Sequence, residues 1–288
     1  MSARQIGKEE SDFMKLAQIL SVLTSEPLFC KPGYRETLLS MFEAHAQMSK
    51  EDYKHSRTGK ARSGQDLDIE QMEVVDGIAR IPIGGPIGQG LGEFEKGAGA
   101  VDVDDIRQEL DDAESDPEVK RILLNFDSPG GMVQGTPELG ERILAVEKDI
   151  YSWSRGNLAS AAYWLAACTD GIFCTPTAEV GCIGVCTTFL DLSKMADMAG
   201  IKVKVFGSGA FKGMGVPGTS LSAEQEIYMK ARIKQLAEMF YNHVRAQRGM
   251  IADEDMQGQT FSGEAAVQKG FVDGLMNNMA ELEVFLRE

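Results

Sequence analysis

The sequence predicts an α/β fold, because short apolar runs of strand character alternate with segments of helical period from about residue 77 to residue 275. Val119–Phe126 is a mostly apolar run of the kind buried on both faces of a parallel sheet. Leu139, Ile143, Leu144 and Val146 then mark a helix, and Ile172-Phe173-Cys174 returns to strand character. Repeated β-α units of this sort imply a largely parallel sheet with helices outside it.

In order along the chain, Gly77–Ile83 alternates apolar residues as a strand and ends in the glycine-rich loop Gly84–Gly92. That loop has no Gly-Lys-Ser/Thr ending and opens no helix with GxGxxG, so it is read as a substrate-side or subunit-contact loop and not a phosphate cradle. Val103, Ile106 and Leu110 define an acidic-surfaced helix that stops near Pro117. Ile150–Trp153 is a short strand, and a small-residue helix is expected to open at Gly156 and Asn157 and run to Ala167. Ile183–Cys186 and Val203–Phe206 are further strand candidates. Ile227, Ala231, Leu236, Met239, Phe240 and Val244 give one apolar face to a long helix between Ser222 and Gly249. A short capped helix follows Gln259–Ser262, and the segment Gly270–Leu275 closes the domain.

Residues 1–75 read as a helical N-terminal preamble and linker, and residues 76–288 as the main domain. Phe13, Leu16, Ala17, Leu20 and Leu23 recur at helical spacing, as do Leu38, Leu39, Phe42 and Ala46, with Pro27 and Pro32 as punctuation. Residues 50–68 carry Lys and Arg among Ser and Gly, the composition of a solvated linker.

Composition narrows the class. A formal net charge of −15 argues against a nucleic-acid partner and against anionic membranes. No apolar run reaches the ~18 residues that a membrane-spanning helix needs, and the N-terminus lacks the apolar centre of a signal peptide. The five cysteines (30, 168, 174, 182, 186) show no metal-like spacing with the three histidines, so neither metal nor cofactor is expected. An odd count without an export signal reads as reduced thiols in a cytoplasm.

Three segments carry chemistry. Ser160, in Asn157-Leu158-Ala159-Ser160-Ala161-Ala162-Tyr163-Trp164, is the one hydroxyl at the start of an apolar helix, where unpaired N–H groups and the helix dipole favour a developing negative charge. Ser128-Pro129-Gly130-Gly131 follows a strand and lets the backbone turn sharply, as an oxyanion hole or an ordinary βα turn requires. His45 and His55 fall in the preamble or linker and His243 on the long helix, so a Ser-His-Asp triad has no obvious base. A lysine whose charge is suppressed by burial can activate a serine instead, and Lys212 lies in the glycine-rich stretch Gly207-Ser208-Gly209-Ala210-Phe211-Lys212.

Taken together and in their order along the chain, the three segments resemble those of the S49 serine peptidases, which include signal peptide peptidase A enzymes and phage capsid-assembly proteases of the protease C type. The resemblance implies a ClpP/crotonase-like spiral of β-α units. It implies a serine endopeptidase with Ser160 as nucleophile, Lys212 as base, Gly131 supplying the oxyanion-hole N–H and Gly130 shaping its turn. Many members have a serine in a Val-Gly-Ser-Ile-Gly segment that helps hold the lysine. Here the segment is Val180-Gly181-Cys182-Ile183-Gly184, so Cys182 stands in the lysine-orienting place with a weaker hydrogen-bonding group. The resemblance further implies a protein or peptide substrate such as a capsid or scaffold protein, a homo-oligomeric ring with sites shared between neighbours, and a host-cytoplasm or procapsid location if the chain is phage-encoded. Phage-type members also carry a leading helical segment.

Two other readings share the fold. A crotonase-type acyl-CoA enzyme would need acidic residues at the site, with Glu138 and Glu141 as candidates, and basic residues for the CoA phosphates. A non-catalytic assembly or scaffold protein would have no use for Ser160 and Lys212 together.

Overall fold

The computed structural model describes residues 28–30, 71–97, 99–249 and 251–287. The helices expected at residues 13–23 and 38–46, and most of the preamble, lie outside these residues. The chain divides into two compact units, and the described part of the smaller one comprises residues 185–239.

The larger unit begins with β1 (Leu28–Cys30), β2 (Glu73–Val75), β3 (Ile78–Gly84), β4 (Ile87–Gly88), α1 (Glu93–Gly97) and β5 (Val101–Asp102). It continues through α2 (Val103–Ser115), β6 (Arg121–Ser128), β7 (Gly130–Met132), α3 (Thr136–Leu144), β8 (Asp149–Ala159), α4 (Ala161–Ala166), β9 (Gly171–Cys174) and β10 (Glu179–Gly181). The smaller unit contributes α5 (Ser193–Met198) and the first part of α6 (Ala223–Arg248). The rest of α6, β11 (Thr260–Ser262), α7 (Gly263–Gln268), β12 (Gly274–Leu275) and α8 (Met279–Arg287) return to the larger unit.

The α/β class expected from the sequence is what the structure shows. In the larger sheet β3, β6 and β8 run parallel side by side, with antiparallel β2 outside β3. β8 is long enough to hold two partners on its far side. Tyr151–Ser154 pairs with β9, and Asn157–Ala159 pairs with β10, both parallel. The smaller sheet has the order β1-β7-β4-β5. β6 reads Arg-Ile-Leu-Leu-Asn-Phe-Asp-Ser, and its Ile122, Leu123, Leu124 and Phe126 are fully buried, as a central parallel strand requires.

Helices cover both faces of the larger sheet. On α2, Val103, Ile106, Leu110 and Ala113 are buried at helical spacing, and the Asp102 side chain caps the helix by accepting from Asp104 N at 2.9 Å. α3 and α4 pack on each other, and every residue of α4 is buried. On the opposite face Leu282 and Leu286 of α8 close a cluster with Ile78, Leu123, Trp153 and Phe173.

Three local expectations are corrected. The strand at Ile150–Trp153 runs on to Ala159, so Gly156 and Asn157 are strand residues and the helix starts only at Ala161. Gly156 is there for a neighbour: a Cβ on it would stand 2.5 Å from Asp127 Oδ1. The alternation Ile201-Lys202-Val203-Lys204-Val205-Phe206 forms no strand, since a pleated pattern needs a ladder partner and none pairs with it among the described residues. Finally, β10 ends at Gly181, and residues 183–185 are irregular.

Candidate active site

Ser160 occupies the one-residue hinge between β8 and α4, with φ 55° and ψ −112°. Non-glycine residues reach this region at a cost of ~1–3 kcal/mol and persist only where surrounding bonds over-determine them. Here they do: Ser160 N–H donates to Gly181 O at 2.8 Å, and Ser160 O accepts from Trp164 N at 2.9 Å. The turn therefore presents the hydroxyl at the end of a parallel strand, as strained strand-to-helix elbows do in α/β-hydrolases. Ser160 is completely buried, and its Oγ has no hydrogen-bond partner among the described residues. A buried hydroxyl left unpaired costs ~1–3 kcal/mol, so this atom is expensive for the fold in both backbone and side chain.

The turn between β6 and β7 stands beside it, because α4 packs against both strands. Gly130 has φ 100°, which favours glycine, and its N–H donates to the buried Ser128 Oγ at 3.2 Å. Gly131 is required for a different reason. A Cβ on it would lie 1.8 Å from Ile87 O, because β4 and β7 approach backbone to backbone.

An irregularity in the β6–β8 ladder adjusts the approach to Ser160. Phe126 pairs with Ser154, but Ser128 pairs with Leu158, so β8 carries extra residues here. Asp127 fills the bulge, with Oδ1 accepting from Asn157 N at 2.9 Å and Asn157 Nδ2 at 3.1 Å. Asp127 directly precedes the Ser128–Gly131 turn, and sequence reasoning assigns it no role. The sequence signal for it is an acidic residue at the end of an apolar strand run, just before a Pro-Gly-Gly turn.

Cys182 follows β10 directly. The register Gly181↔Ala159 places it level with Ser160, and it has the same left-handed φ of 55°. Its thiol is buried, and its N–H donates to Gln259 O at 2.8 Å. Lys212 belongs to the smaller unit and is exposed there. Its loop is held by Gln225 Nε2 donating to Ala210 O at 2.6 Å and by Phe211 against Tyr228, with ring centroids 4.9 Å apart. Gly207 allows the loop to close, since a Cβ there would stand 2.5 Å from Lys212 O. The structure thus gathers Ser160, Gly130, Gly131 and Cys182 in one unit and sets Lys212 in the other.

His243 has another use. It stacks on Trp164 with ring centroids 4.1 Å apart, and its Nε2–H donates to Trp164 O at 3.0 Å. Burial holds its pKa below the ordinary histidine value. The neighbouring Cys168, with Sγ 3.6 Å from His243 Nε2, is pushed up to about 12 by burial and remains a thiol. Glu138 and Glu141 are both exposed on α3. Among the described residues no group of three or more His, Cys, Asp or Glu is arranged to hold a metal, and no helix is long and apolar enough to cross a membrane.

Comparison with known proteins follows the same lines. The model of the family described as peptidase family S49 matches residues 142–283, a span that contains Ser160, Cys182 and Lys212. Head-tail preconnector protein GP5 of Enterobacteria phage P21 is 26% identical over 91% of this chain and 55% of its own length. Capsid assembly protease C of Escherichia phage lambda is 26% identical over 95% of this chain and 66% of its own. A putative signal peptide peptidase SppA of Enterococcus faecium is 29% identical over 57% of this chain and 50% of its own. The chain therefore spans between half and two thirds of the length of these curated relatives. Over residues 142–283, just under half of the chain, the sequence is similar to peptidase family S49.

Proposed function

We propose that the chain is a serine endopeptidase that hydrolyses peptide bonds through an acyl-enzyme. The observation that carries this reading is Ser160 itself, a buried hydroxyl without a partner on a strained turn. A fold bears such costs where chemistry uses them. In this reading Ser160 Oγ attacks the scissile carbonyl, and Lys212 takes the proton and returns it to the leaving amine. The Gly131 N–H holds the oxyanion, and Gly130 gives the turn its shape. Cys182, level with Ser160, contributes to orienting the lysine.

Assembly completes the site. A lysine serves as a general base best in a dry setting, and Lys212 is exposed in the smaller unit. The smaller unit exposes Met198 at 90% and Phe206 at 92%, apolar surface suited to contact with another subunit. A homo-oligomeric ring with sites shared between neighbours supplies both. Two relatives are named for capsid assembly and the head-tail preconnector. Capsid or scaffold proteins, met in a host cytoplasm or procapsid, are the substrates this favours. The crotonase-type alternative finds no support in Glu138 and Glu141, which point to solvent.

The direct experiment is labelling with a fluorophosphonate probe and mapping the modified residue. Modification of Ser160, lost in Ser160→Ala, is the expected result. Labelling of another serine, or none, removes the assignment.

A further inference from the structure

The strand that carries Gly130 and Gly131 is occupied along both edges. On one side β4 runs parallel to it, with Ile87 opposite Gly131. On the other side β1 runs antiparallel, with Leu28 opposite Met132, Phe29 opposite Gly131 and Cys30 opposite Gly130. α4, the helix that Ser160 opens, packs against the same strand. β1 comes from the N-terminal region, far from β7 in sequence, and among the described residues it pairs with no other strand.

A polypeptide presented to this turn in extended form would add its main chain to a strand edge. The edge beyond β7 is taken by Leu28–Cys30. We propose that Leu28–Cys30 is a resident strand, seated where a polypeptide segment is bound, and that such a segment must displace it to reach the turn. The inference rests on the peptidase reading for the purpose of the bound segment, but not for its place.

The sequence explains how displacement is possible. Pro27 precedes the strand and Pro32 follows it by two residues. Proline has no N–H to give a ladder, so the resident pairing is confined to about three residues. A proline-free segment can pair over a greater length and outcompete it. Short edge strands of this kind also shield an otherwise open edge from uncontrolled pairing, so the same feature keeps the idle protein from binding chains at random.

The test uses the full-length protein with Cys30→Ser, into which Leu28→Cys and Met132→Cys are introduced. Directly opposite residues of an antiparallel pair have Cα atoms ~4.5–5.5 Å apart, within the reach of a disulfide. The probe is a fluorescein-labelled peptide copying residues 24–34 with Pro27→Ala, Cys30→Ser and Pro32→Ala, so that it is proline-free; it is followed by anisotropy, and casein hydrolysis is measured in parallel. The oxidised protein should bind the peptide at least tenfold more weakly than the same protein after reduction, with hydrolysis suppressed and recovered in step. Equal binding in the two states overturns the proposal, and so does failure of the disulfide to form, which denies the pairing itself. If the reduced protein binds peptide but hydrolyses nothing, the peptidase reading falls and the resident strand stands.

Discussion

Asp127 Oδ1 accepts two hydrogen bonds from a single residue, Asn157, one from its main-chain N–H at 2.9 Å and one from its side-chain amide at 3.1 Å. Asn157 lies three residues before Ser160 on β8, so one carboxylate fixes the register of the strand that delivers the hydroxyl. Asp127→Ala should lower kcat by ~10–100-fold through misplacement of the nucleophile, with KM little changed. Asn157→Ala removes the side-chain bond but keeps the main-chain one, so it should cost less. Steady-state kinetics on the two variants decides the order, and a larger loss in Asn157→Ala would show that Asp127 does not set the register.

The backbone of Ser160 separates strain from chemistry. Ser160→Ala and Ser160→Gly both remove the hydroxyl, and both should be inactive against casein. Glycine also relieves the left-handed φ of 55°. Ser160→Gly should therefore unfold ~1 kcal/mol later than Ser160→Ala in urea titration, because the folded state no longer holds a side chain in that region. Equal midpoints would mean that the turn stores no strain.

Subunit sharing predicts complementation. Ser160→Ala and Lys212→Ala should each be inactive alone. When their subunits are exchanged, some neighbouring pairs hold one intact serine and one intact lysine, and part of the activity should return. A mixture that demonstrably exchanges and stays inactive would place each site within one chain.

The buried thiols give a chemical readout of the core. Burial raises Cys168 to about 12 and Cys174 to about 11. At pH 8 only ~10⁻⁴ of Cys168 is thiolate, the form that reacts with alkylating reagents. Cys186 is exposed. Among Cys168, Cys174, Cys182 and Cys186, iodoacetamide should therefore modify Cys186 first, and peptide mapping should find Cys168 and Cys174 unmodified until the protein unfolds.

His243 should make the fold acid-sensitive. Burial lowers its folded pKa, so below the ordinary value of ~6.5 the unfolded chain takes up a proton that the folded one does not. Its contribution is thus fully present above that pH and is lost as pH falls toward the folded pKa. His243→Gln keeps an N–H donor for Trp164 O without a titrating group, and the decline in Tm between pH 7 and pH 5 should be shallower in this variant.

The α/β class was legible because β6 and α2 each carry an unambiguous period, continuous apolar residues in one and spacing of three and four in the other. The extent of β8 was not, because Gly156 looks like a strand end when only its own preferences are considered. Its purpose is to leave room for Asp127, which a one-dimensional reading does not place beside it. The segment 201–206 failed in the opposite way: its alternation is real, but pairing is a property of two strands. At the site, residue types and their order pointed to Ser160 and the Gly130–Gly131 turn. That Ser160 and Cys182 share a strained φ, and that Ser160 Oγ is unpaired, are properties of tertiary neighbours that leave no mark on composition or spacing.

The two tightest glycines of the site differ in what blocks a side chain, and this sets how the sequence can diverge. At Gly156 the obstacle is the Asp127 carboxylate, so loss of that side chain opens the position, and Gly156→Ala should be tolerated once Asp127→Ala is present. At Gly131 the obstacle is the Ile87 carbonyl oxygen, a main-chain atom that every residue at position 87 would present equally. No second change compensates there. In a saturation library of this protein, codon 131 should return glycine alone from every background, whereas codon 156 should drift whenever codon 127 has drifted first.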